Sequence, residues 1–302
     1  MTLRIGTRAS ALAMAQSGTI AEQLGGELVP IVSEGDTSTA SLSTLGGRGV
    51  FANALREALL AGEVDVLVHS YKDLPTTTVD GLAIAAVPER ADARDALCAR
   101  NGLTLETLPE GARVGTGSPR RRAQLAARRP DLELVDLRGN VDTRLGRVAS
   151  ADPERALDAV MLAAAGLGRI GRLDAVTQYL PLEEWPTAPA QAALAVETRV
   201  GDEHLAAAID HRPTRLAADA ERGVLALLGA GCAAPIGAHA FVEDGLLFLT
   251  AVVYRPDGTA QLSSSHAAAL EDDGAEAAAS VARNVTDELL QQGAADLAPL
   301  GD

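Results

Sequence analysis

The most constraining feature of this sequence is a regular alternation of short apolar runs with amphipathic segments over its first two thirds. The run from Val64 to Val68 is rich in β-branched residues and follows Gly62, a suitable helix stop, and a second apolar run extends from Leu157 to Ala163. Short continuous runs of this kind are typical of strands that are buried on both faces. Because strands alternate with helices, we predict parallel α/β sheets.

These patterns predict the individual elements. Strands are expected at 3–6, 28–32, 64–69, 82–87, 113–115, 132–137 and 157–163, and helices at 11–24, 51–61, 119–129 and 141–150. The last third differs, because the turn signal Arg255-Pro256-Asp257-Gly258 separates two strand-like segments, 245–254 and 259–264. With an alanine-rich helix expected at 275–292, this part is predicted to form a small α+β domain.

Length and composition limit the class of protein. A chain of 302 residues is expected to form two or three domains, and an aromatic content of 2% means that their cores must be built from Ala, Leu and Val. No apolar run approaches the roughly 18 residues of a membrane span, and the N-terminal residues lack a signal-peptide pattern. The net charge of -15 argues against binding to nucleic acid or to an anionic membrane.

The two cysteines, Cys98 and Cys232, cannot form a disulfide framework, so a cytoplasmic location is expected. No Cys/His cluster has the spacing of a metal site. Cys98 lies in an apolar segment and is predicted to be strand core. Cys232 lies in a glycine-rich loop, where a cysteine can act as a nucleophile or as an attachment point. The alternative is a small apolar residue packed in a turn, and the nearby His239 does not pair convincingly with this thiol.

Lys72 is the only lysine among the 26 basic residues, and it is followed by Asp73 at the end of the predicted strand 64–69. Lysine carries a compact charge that the planar guanidinium of arginine does not reproduce. Ligands of α/β folds bind beyond the carboxyl ends of strands, and an acid at this place is suited to proton transfer. The alternatives are an arginine-biased genome for the scarcity of lysine and a turn-capping role for Asp73.

Three predicted helices begin in the same way, with a strand end, a turn of small residues, a capping side chain and nearby arginines. The expected caps are Ser10, Ser118 and Asn140. Helix N-termini present free N–H groups and partial positive charge, and arginine adds a fork for carboxylate or phosphate. Each case alone is also explained by ordinary capping and solvated arginine. Together they predict a ligand with several anionic groups, although no dinucleotide or phosphate-loop motif is present.

Taken in order, these segments resemble the hydroxymethylbilane synthase family, also called the porphobilinogen deaminase family. The resemblance covers nearly the whole chain, and its motifs are highly specific as a set. The matching segments are 4–8, 46–51, His69-Ser70-Tyr71-Lys72-Asp73-Leu74-Pro75, 94–95, 115–121, Leu137-Arg138-Gly139-Asn140-Val141-Asp142-Thr143-Arg144, 162–167, 220–222 and 231–237. The arginine- and alanine-rich composition resembles that of proteins from GC-rich bacteria.

The resemblance implies an α/β fold of two lobes like those of periplasmic binding proteins, with mixed, mainly parallel sheets, and a small C-terminal α+β domain. The implied first domain, the catalytic lobe, is discontinuous and comprises 1–93 and 188–213. The second, a carboxylate-binding lobe, comprises 94–187. The third, 214–302, carries the attached cofactor.

The resemblance also implies an activity. Members of this family are transferases of tetrapyrrole and heme biosynthesis that carry a dipyrromethane cofactor, here bound by a thioether to Cys232. Four porphobilinogen molecules are added to the cofactor in turn, each with loss of ammonia, and water then releases linear hydroxymethylbilane. The expected protein is a cytoplasmic monomer with porphobilinogen as its small-molecule partner and with no nucleic-acid, membrane or metal partner.

Individual residues match the family's functional positions. Asp73 corresponds to the catalytic acid, and Lys72 is expected to hold a cofactor carboxylate and to act on the charge of Asp73. The cofactor-binding positions are Arg8, Ser10, Arg48, Thr116, Ser118, Arg120, Arg121, Arg138, Asn140, Arg144, Arg169 and Gln191. Because each pyrrole carries an acetate and a propionate, the growing chain is the kind of polycarboxylate that the helix starts predict.

The sequence departs from the family pattern near the expected interlobe crossover. Ala190-Gln191-Ala192-Ala193 stands where Gly-Gln-Gly-Ala is usual, so the hinge geometry is expected to differ, and Arg48 replaces a frequent lysine. A non-enzymatic solute binder with the same two-lobed fold is the competing reading, since fold alone does not give function. An intact mass that includes two covalent pyrrole units would distinguish the enzyme from the binder.

Overall fold

The computed structural model describes residues 2–31, 50–231 and 233–300, and only the backbone of residues 50 and 51. The strands are β1 (Leu3–Arg8), β2 (Gly26–Ile31), β3 (Val66–Ser70), β4 (Leu82–Ala86), β5 (Asp95–Ala99), β6 (Arg113–Gly115), β7 (Glu133–Val135), β8 (Ala159–Ala163), β9 (Gln178–Tyr179), β10 (Leu194–Arg199), β11 (Ile236–Glu243), β12 (Leu246–Tyr254) and β13 (Gln261–Ala269). The α-helices are α1 (Ala11–Leu24), α2 (Val50–Leu60), α3 (Pro119–Arg128), α4 (Val141–Val148), α5 (Ala164–Arg169), α6 (Arg212–Leu227), α7 (Ala275–Gln291) and α8 (Ala294–Leu297).

The alternating part of the chain forms two sheets, which we call the first and second lobes. Within the described residues each sheet has five strands, in the orders β2-β1-β3-β10-β4 and β7-β6-β8-β5-β9. The pairings of β1 with β2 and β3, and of β6 with β7 and β8, are parallel. The strands β10 and β5 are antiparallel to both of their neighbours. Four strands of each described sheet therefore share one direction, which confirms the mixed, mainly parallel sheets.

The two reversed strands, β5 and β10, run opposite to their neighbours for the same reason. β5 is the first strand after the chain leaves the first lobe, and β10 is the first after it returns from the second. Each enters the middle of a sheet from a crossover rather than from a helix of the same lobe, so it runs opposite to its neighbours. Strand–helix alternation indicates parallel neighbours but not a strand that enters from a crossover, so β10 was not predicted and the direction of β5 was not given by that pattern.

The C-terminal third forms an antiparallel sheet in the order β11-β12-β13, packed against α6 and α7. The predicted hairpin is confirmed, and its turn lies on the helix α3 of the second lobe. A Cβ at Gly258 would lie 2.6 Å from the Ala127 amide nitrogen, and the φ of 78° also favours glycine there. In the described parts of the chain, no helix is both long and apolar enough to cross a membrane.

The cores are aliphatic, as the composition predicts. The largest buried cluster lies in the C-terminal third and includes Val224, Leu249 and Val285, all at or below 1% exposure. Cys98 lies in β5 at 2% exposure, and burial raises the pKa of its thiol to about 12. The prediction that Cys98 is strand core is therefore confirmed.

Candidate active site

The predicted catalytic pair lies where β3 ends. The chain leaves β3 through a single 3-10 turn, Tyr71–Asp73, which places Asp73 at the carboxyl end of the parallel strands. The Asp73 side chain is exposed and lines a cavity of about 100 Å³ together with Arg8 and Ser10. No described residue forms a hydrogen bond or ion pair with the Asp73 carboxylate, so it is free to interact with a ligand in this cavity.

Side chains of α6 form hydrogen bonds with this turn and fix its conformation. The Arg222 guanidinium lies 4.3 Å from the centre of the Tyr71 ring and donates to the carbonyl oxygens of Tyr71 at 2.9 Å, Leu74 at 2.7 Å and Pro75 at 2.7 Å. The Tyr71 hydroxyl donates to Asp219 Oδ1 at 3.0 Å. The position of Asp73 is therefore set by the C-terminal third of the chain. Local sequence patterns did not predict this contact.

Lys72 points between the two lobes, where part of its side chain remains accessible to solvent. Its Nζ donates to Gln191 Oε1 at 3.3 Å. Burial of the ammonium lowers the pKa of Lys72 from its ordinary value of 10.5 to about 8. The charge of Asp73 opposes this shift and the charge of Arg121 adds to it. The only lysine of the chain therefore titrates well below the ordinary range of a lysine and stays mainly protonated at neutral pH.

This depressed pKa should make the stability of the fold depend on pH. Unfolded lysine titrates near 10.4, whereas Lys72 in the folded chain titrates near 8, so between these values the unfolded state binds more protons. The destabilising contribution is fully present below pH 8 and is relieved as pH rises through this window. The free energy of unfolding of the wild type should therefore rise relative to that of Lys72→Met between about pH 8 and 10.4. If the difference in free energy of unfolding between the wild type and Lys72→Met stayed constant across that range, the lowered pKa of Lys72 would be contradicted.

In the second lobe, a buried carboxylate forms ion pairs with the predicted arginines of α3. Asp95 is fully buried and accepts from Arg120 Nη1 at 2.8 Å, Arg121 Nη2 at 2.6 Å, Gln191 Nε2 at 2.8 Å and Trp185 Nε1 at 3.0 Å. Burial acts to raise the pKa of Asp95, but the charges and hydrogen bonds of the two arginines outweigh it and hold that pKa well below its usual range. Asp95 therefore remains ionised and orients both guanidiniums.

The two arginines are more buried than their position at a helix start predicts. Arg120 is 3% and Arg121 6% exposed. Each also has a buried Nε–H without a hydrogen-bond partner among the described residues. Buried donors without partners are rare in native proteins and require an explanation, and an anionic ligand between the lobes would provide one.

Three further predicted arginines, Arg138, Arg144 and Arg169, have few acidic partners among the described residues. Arg144 Nε donates to the Gly139 carbonyl oxygen at 2.8 Å and Arg169 Nη2 to that of Ala192 at 2.7 Å, and neither forms an ion pair with a described residue. Burial lowers the pKa of both, and for Arg144 the charges of Arg121 and Arg138 add to the effect. Arg138 lies 3.8 Å from an oxygen of Asp136. Mutual repulsion among these cations shows a region that would be stabilised by negative charge.

All three predicted helix caps are confirmed. The side chains of Ser10, Ser118 and Asn140 accept hydrogen bonds from backbone N–H groups at the starts of α1, α3 and α4, at 3.3, 3.4 and 2.8 Å. Thr116 is 1% exposed, and its hydroxyl accepts from the Ser118 N–H at 3.2 Å. The predicted residues Arg48 and Cys232 lie outside the described part of the chain, so their positions stay predictions.

The segment that returns from the second lobe has an unusual backbone. Ala190 and Ala192, which stand where the resemblance leads us to expect glycine, have φ values of 58° and 72°. This left-handed region is unfavourable for residues with a Cβ. The Ala190 N–H donates to Glu221 Oε2 at 2.6 Å, the Gln191 carbonyl oxygen accepts from Arg90 Nε at 2.7 Å, and the Ala192 carbonyl oxygen accepts from Arg169. Both alanines adopt this left-handed conformation because three charged side chains form hydrogen bonds with the backbone of the segment.

Glycine should be tolerated at these two positions better than at their neighbour. In Ala190→Gly and Ala192→Gly, relief of the left-handed conformation should offset the lost methyl packing and the added entropy of the unfolded chain. Ala193 is equally buried but does not have a positive φ. Ala193→Gly should therefore destabilise the fold by about 1–2 kcal/mol more than either of the others. Urea unfolding measures the difference, and equal losses at all three positions would contradict backbone strain.

The chain also matches known protein families. The family model described as porphobilinogen deaminase, dipyromethane cofactor binding domain, matches residues 3–207, and the model of the C-terminal domain of porphobilinogen deaminase matches residues 215–291. A porphobilinogen deaminase from Leifsonia xyli is 60% identical over 99% of this chain and 94% of that one. Another from Thermobifida fusca is 51% identical over 96% of this chain and 94% of that one.

Among solved structures, a periplasmic binding protein from Salmonella typhimurium is 14% identical over 69% of this chain and 91% of that one, with a TM-score of 0.35. A TM-score this low does not establish a shared fold. The two family models together extend over most of the chain, and the identities hold over almost its full length. The chain therefore belongs to the porphobilinogen deaminase family of transferases.

Proposed function

We propose that the Tyr71–Asp73 turn is the catalytic centre of the family's reaction in this chain, with Asp73 and Lys72 as its catalytic residues. Porphobilinogen is the substrate of this family, and each condensation releases ammonia. The single observation that carries the proposal is the Asp73 carboxylate, which has no partner among the described residues and lines a cavity with Arg8 and Ser10.

The carboxylate of Asp73 is suited to each proton and charge change of one condensation. It can accept a hydrogen bond from the substrate ammonium group before the carbon–nitrogen bond breaks. It then offers a negative charge to the cationic carbon that remains, which is the kind of fixed electrostatic stabilisation that lowers a barrier most. After the new carbon–carbon bond forms, it can accept the proton released from the pyrrole α-carbon. Lys72 supplies the positive charge beside this acid and a donor for a ligand carboxylate.

The residues between the lobes fit the family's dipyrromethane cofactor. Arg144 and Arg169 lack acidic partners among the described residues, and the buried Nε–H groups of Arg120 and Arg121 lack acceptors there. When bound, the cofactor supplies the pyrrole carbon to which the first substrate is joined. We propose that its carboxylates, and those of the growing chain, are held by Arg8, Ser10, Arg48, Thr116, Ser118, Arg120, Arg121, Arg138, Asn140, Arg144 and Arg169, with Gln191 acting from within the protein and Cys232 as the point of attachment.

We further propose three domains, 1–93 with 188–213, 94–187, and 214–302, because each range contains one of the described sheets. The charge of -15 and the absence of a disulfide framework support a cytoplasmic protein. We propose that it is a monomer, which sedimentation velocity would test. The alternative of a solute binder without catalysis does not account for membership in an enzyme family.

Intact mass tests the attachment point directly. The wild type should carry the mass of two pyrrole units beyond its translated sequence, and Cys232→Ala should lose this increment. Cys98→Ala is the matched control, and it should keep the increment because the Cys98 thiol is 2% exposed and its raised pKa suppresses the thiolate. An increment lost from Cys98→Ala and kept in Cys232→Ala would reverse the assignment.

A further inference from the structure

We propose that Gln191 is a positioning residue for the reaction, and that its buried amide links the Lys72 ammonium of the first lobe to the Asp95 carboxylate of the second. The inference rests on the proposed function of Lys72 and Asp73. Its basis is that Gln191 is 0% exposed and forms side-chain hydrogen bonds to both charged groups.

The orientation of the amide is determined by its partners. Gln191 Nε2 donates to the Ala93 carbonyl oxygen at 2.9 Å and to Asp95 Oδ1 at 2.8 Å. Both of these atoms are acceptors only, so the NH₂ end must face them. The opposite end, Oε1, therefore faces Lys72 Nζ, at 3.3 Å. A flipped amide would place two acceptors against its oxygen and the Lys72 ammonium, a donor only, against its nitrogen.

The backbone of Gln191 is fixed as firmly as its side chain. The residues on either side have left-handed φ values, and Glu221, Arg90 and Arg169 each bind a backbone group of one of the three consecutive residues 190–192. Glu221 is fully buried, and it also accepts from both terminal nitrogens of Arg90, at 2.7 and 3.0 Å. Because this segment is so restrained while lysine has a flexible stem, the position of the Lys72 ammonium follows that of the amide.

No other described residue forms a hydrogen bond with the Lys72 ammonium. The charged groups that act on it are Asp73 beside it and Arg121, Asp95 and Arg120 from the second lobe. Three of these four belong to the buried cluster around Asp95, which Gln191 joins. The amide is thus the direct contact through which the proposed carboxylate-binding lobe orients the proposed catalytic turn.

The single lysine makes the test unambiguous. Protein grown with lysine labelled with carbon-13 at Cε gives one lysine signal, and its pH titration reports Lys72 alone. Gln191→Met removes an acceptor from the charged form and should lower the titration midpoint. In Gln191→Glu the oxygen that faces Asp95 and the Ala93 carbonyl oxygen must carry a proton, so the neutral acid keeps an acceptor toward Lys72 and should keep the midpoint near the wild-type value. A midpoint that falls in Gln191→Met and is restored in Gln191→Glu is expected only if this side chain contacts Lys72.

Gln124→Met is the matched control. Gln124 is also a buried glutamine with a side-chain contact to Arg120, but it lies against Pro186 and Tyr254 rather than Lys72. The Gln124→Met variant should therefore titrate at Lys72 with the wild-type midpoint. Turnover should fall at least tenfold in Gln191→Met and recover in Gln191→Glu, with KM little changed and the covalent mass increment retained in both variants.

The outcomes separate this inference from the proposed function. An unchanged Lys72 midpoint in Gln191→Met, or an equal fall in Gln191→Met and Gln191→Glu, would overturn the positioning role even if Asp73 proves essential. Wild-type turnover in Asp73→Asn would instead remove the proposed catalytic centre. If Gln191→Met does not fold, Gln191→Ala removes the same acceptor without added bulk, and its Lys72 midpoint decides.

Discussion

Replacement of Asp73 with asparagine should leave a folded protein that carries its cofactor but turns over porphobilinogen about 10²–10⁴-fold more slowly. The amide keeps the shape of the side chain and removes both the proton acceptor and the negative charge opposite the cationic carbon. Because Asp73 is exposed and has no partner among the described residues, the substitution breaks no contact of that part of the fold. The loss should appear in kcat, measured under saturating substrate, with the unfolding midpoint unchanged.

Asp80→Asn provides the control for this prediction. Asp80 is an exposed aspartate of the same connection between β3 and β4, but it does not line the cavity that Asp73 lines. Its replacement should leave turnover and stability near wild-type values. Near-native turnover in Asp73→Asn, or an equal loss in both variants, would exclude Asp73 as the principal acid.

The second large effect is expected at Glu221, where neutralisation should destabilise the protein. This carboxylate accepts from Arg90, from the Ala190 N–H and from the Ala240 N–H, so it joins both interlobe crossovers to the C-terminal sheet. In Glu221→Gln the Arg90 guanidinium, whose side chain is 11% exposed, keeps its charge without a counterion. Removal of one partner of a buried ion pair costs about 3–5 kcal/mol.

Unfolding by urea, followed by circular dichroism, would measure this loss. Glu184→Gln is the control, because Glu184 and its partner Arg128 are both about half exposed, and exposed ion pairs contribute little. A Glu221→Gln variant as stable as the wild type would show that the three units are held together by other contacts. Loss of the cofactor increment together with stability would indicate that the crossovers also shape the cofactor site.

Features that depend on neighbouring residues were predictable from the sequence. The caps Ser10, Ser118 and Asn140 are confirmed because capping involves only the residue and the next turn of helix. The hairpin around Asp257 is confirmed for the same reason, since its turn chemistry is local. The location of Lys72 and Asp73 at a strand end also followed from the short, β-branched run from Val64 to Val68 and the helix stop before it. The roles of these two residues stay predictions.

Features that depend on distant segments were not predictable in this way. Asp95 joins residues 25, 26, 90 and 96 positions away, and the contacts from Arg222 to the Tyr71–Asp73 turn cross about 150 positions. The periodicity of a segment reports which of its faces is buried, but not which segment covers it. The inward direction of Arg120 and Arg121 could not be inferred for that reason, since their helix start alone predicts exposed arginines.

The reversed strands β5 and β10 show the same contrast between features that depend on neighbouring residues and features that depend on distant segments. The apolar surroundings of Cys98 predicted the buried strand β5, whereas β10 was not predicted from the sequence. Their direction is decided by two crossovers that bring each strand into the opposite lobe, a property of the whole chain path. Likewise, the replacement of two glycines by alanine marked an altered hinge, but only the tertiary structure decides that the backbone stays left-handed there. The physical reason is that contacts from Glu221, Arg90 and Arg169 outweigh the local preference of alanine for a negative φ.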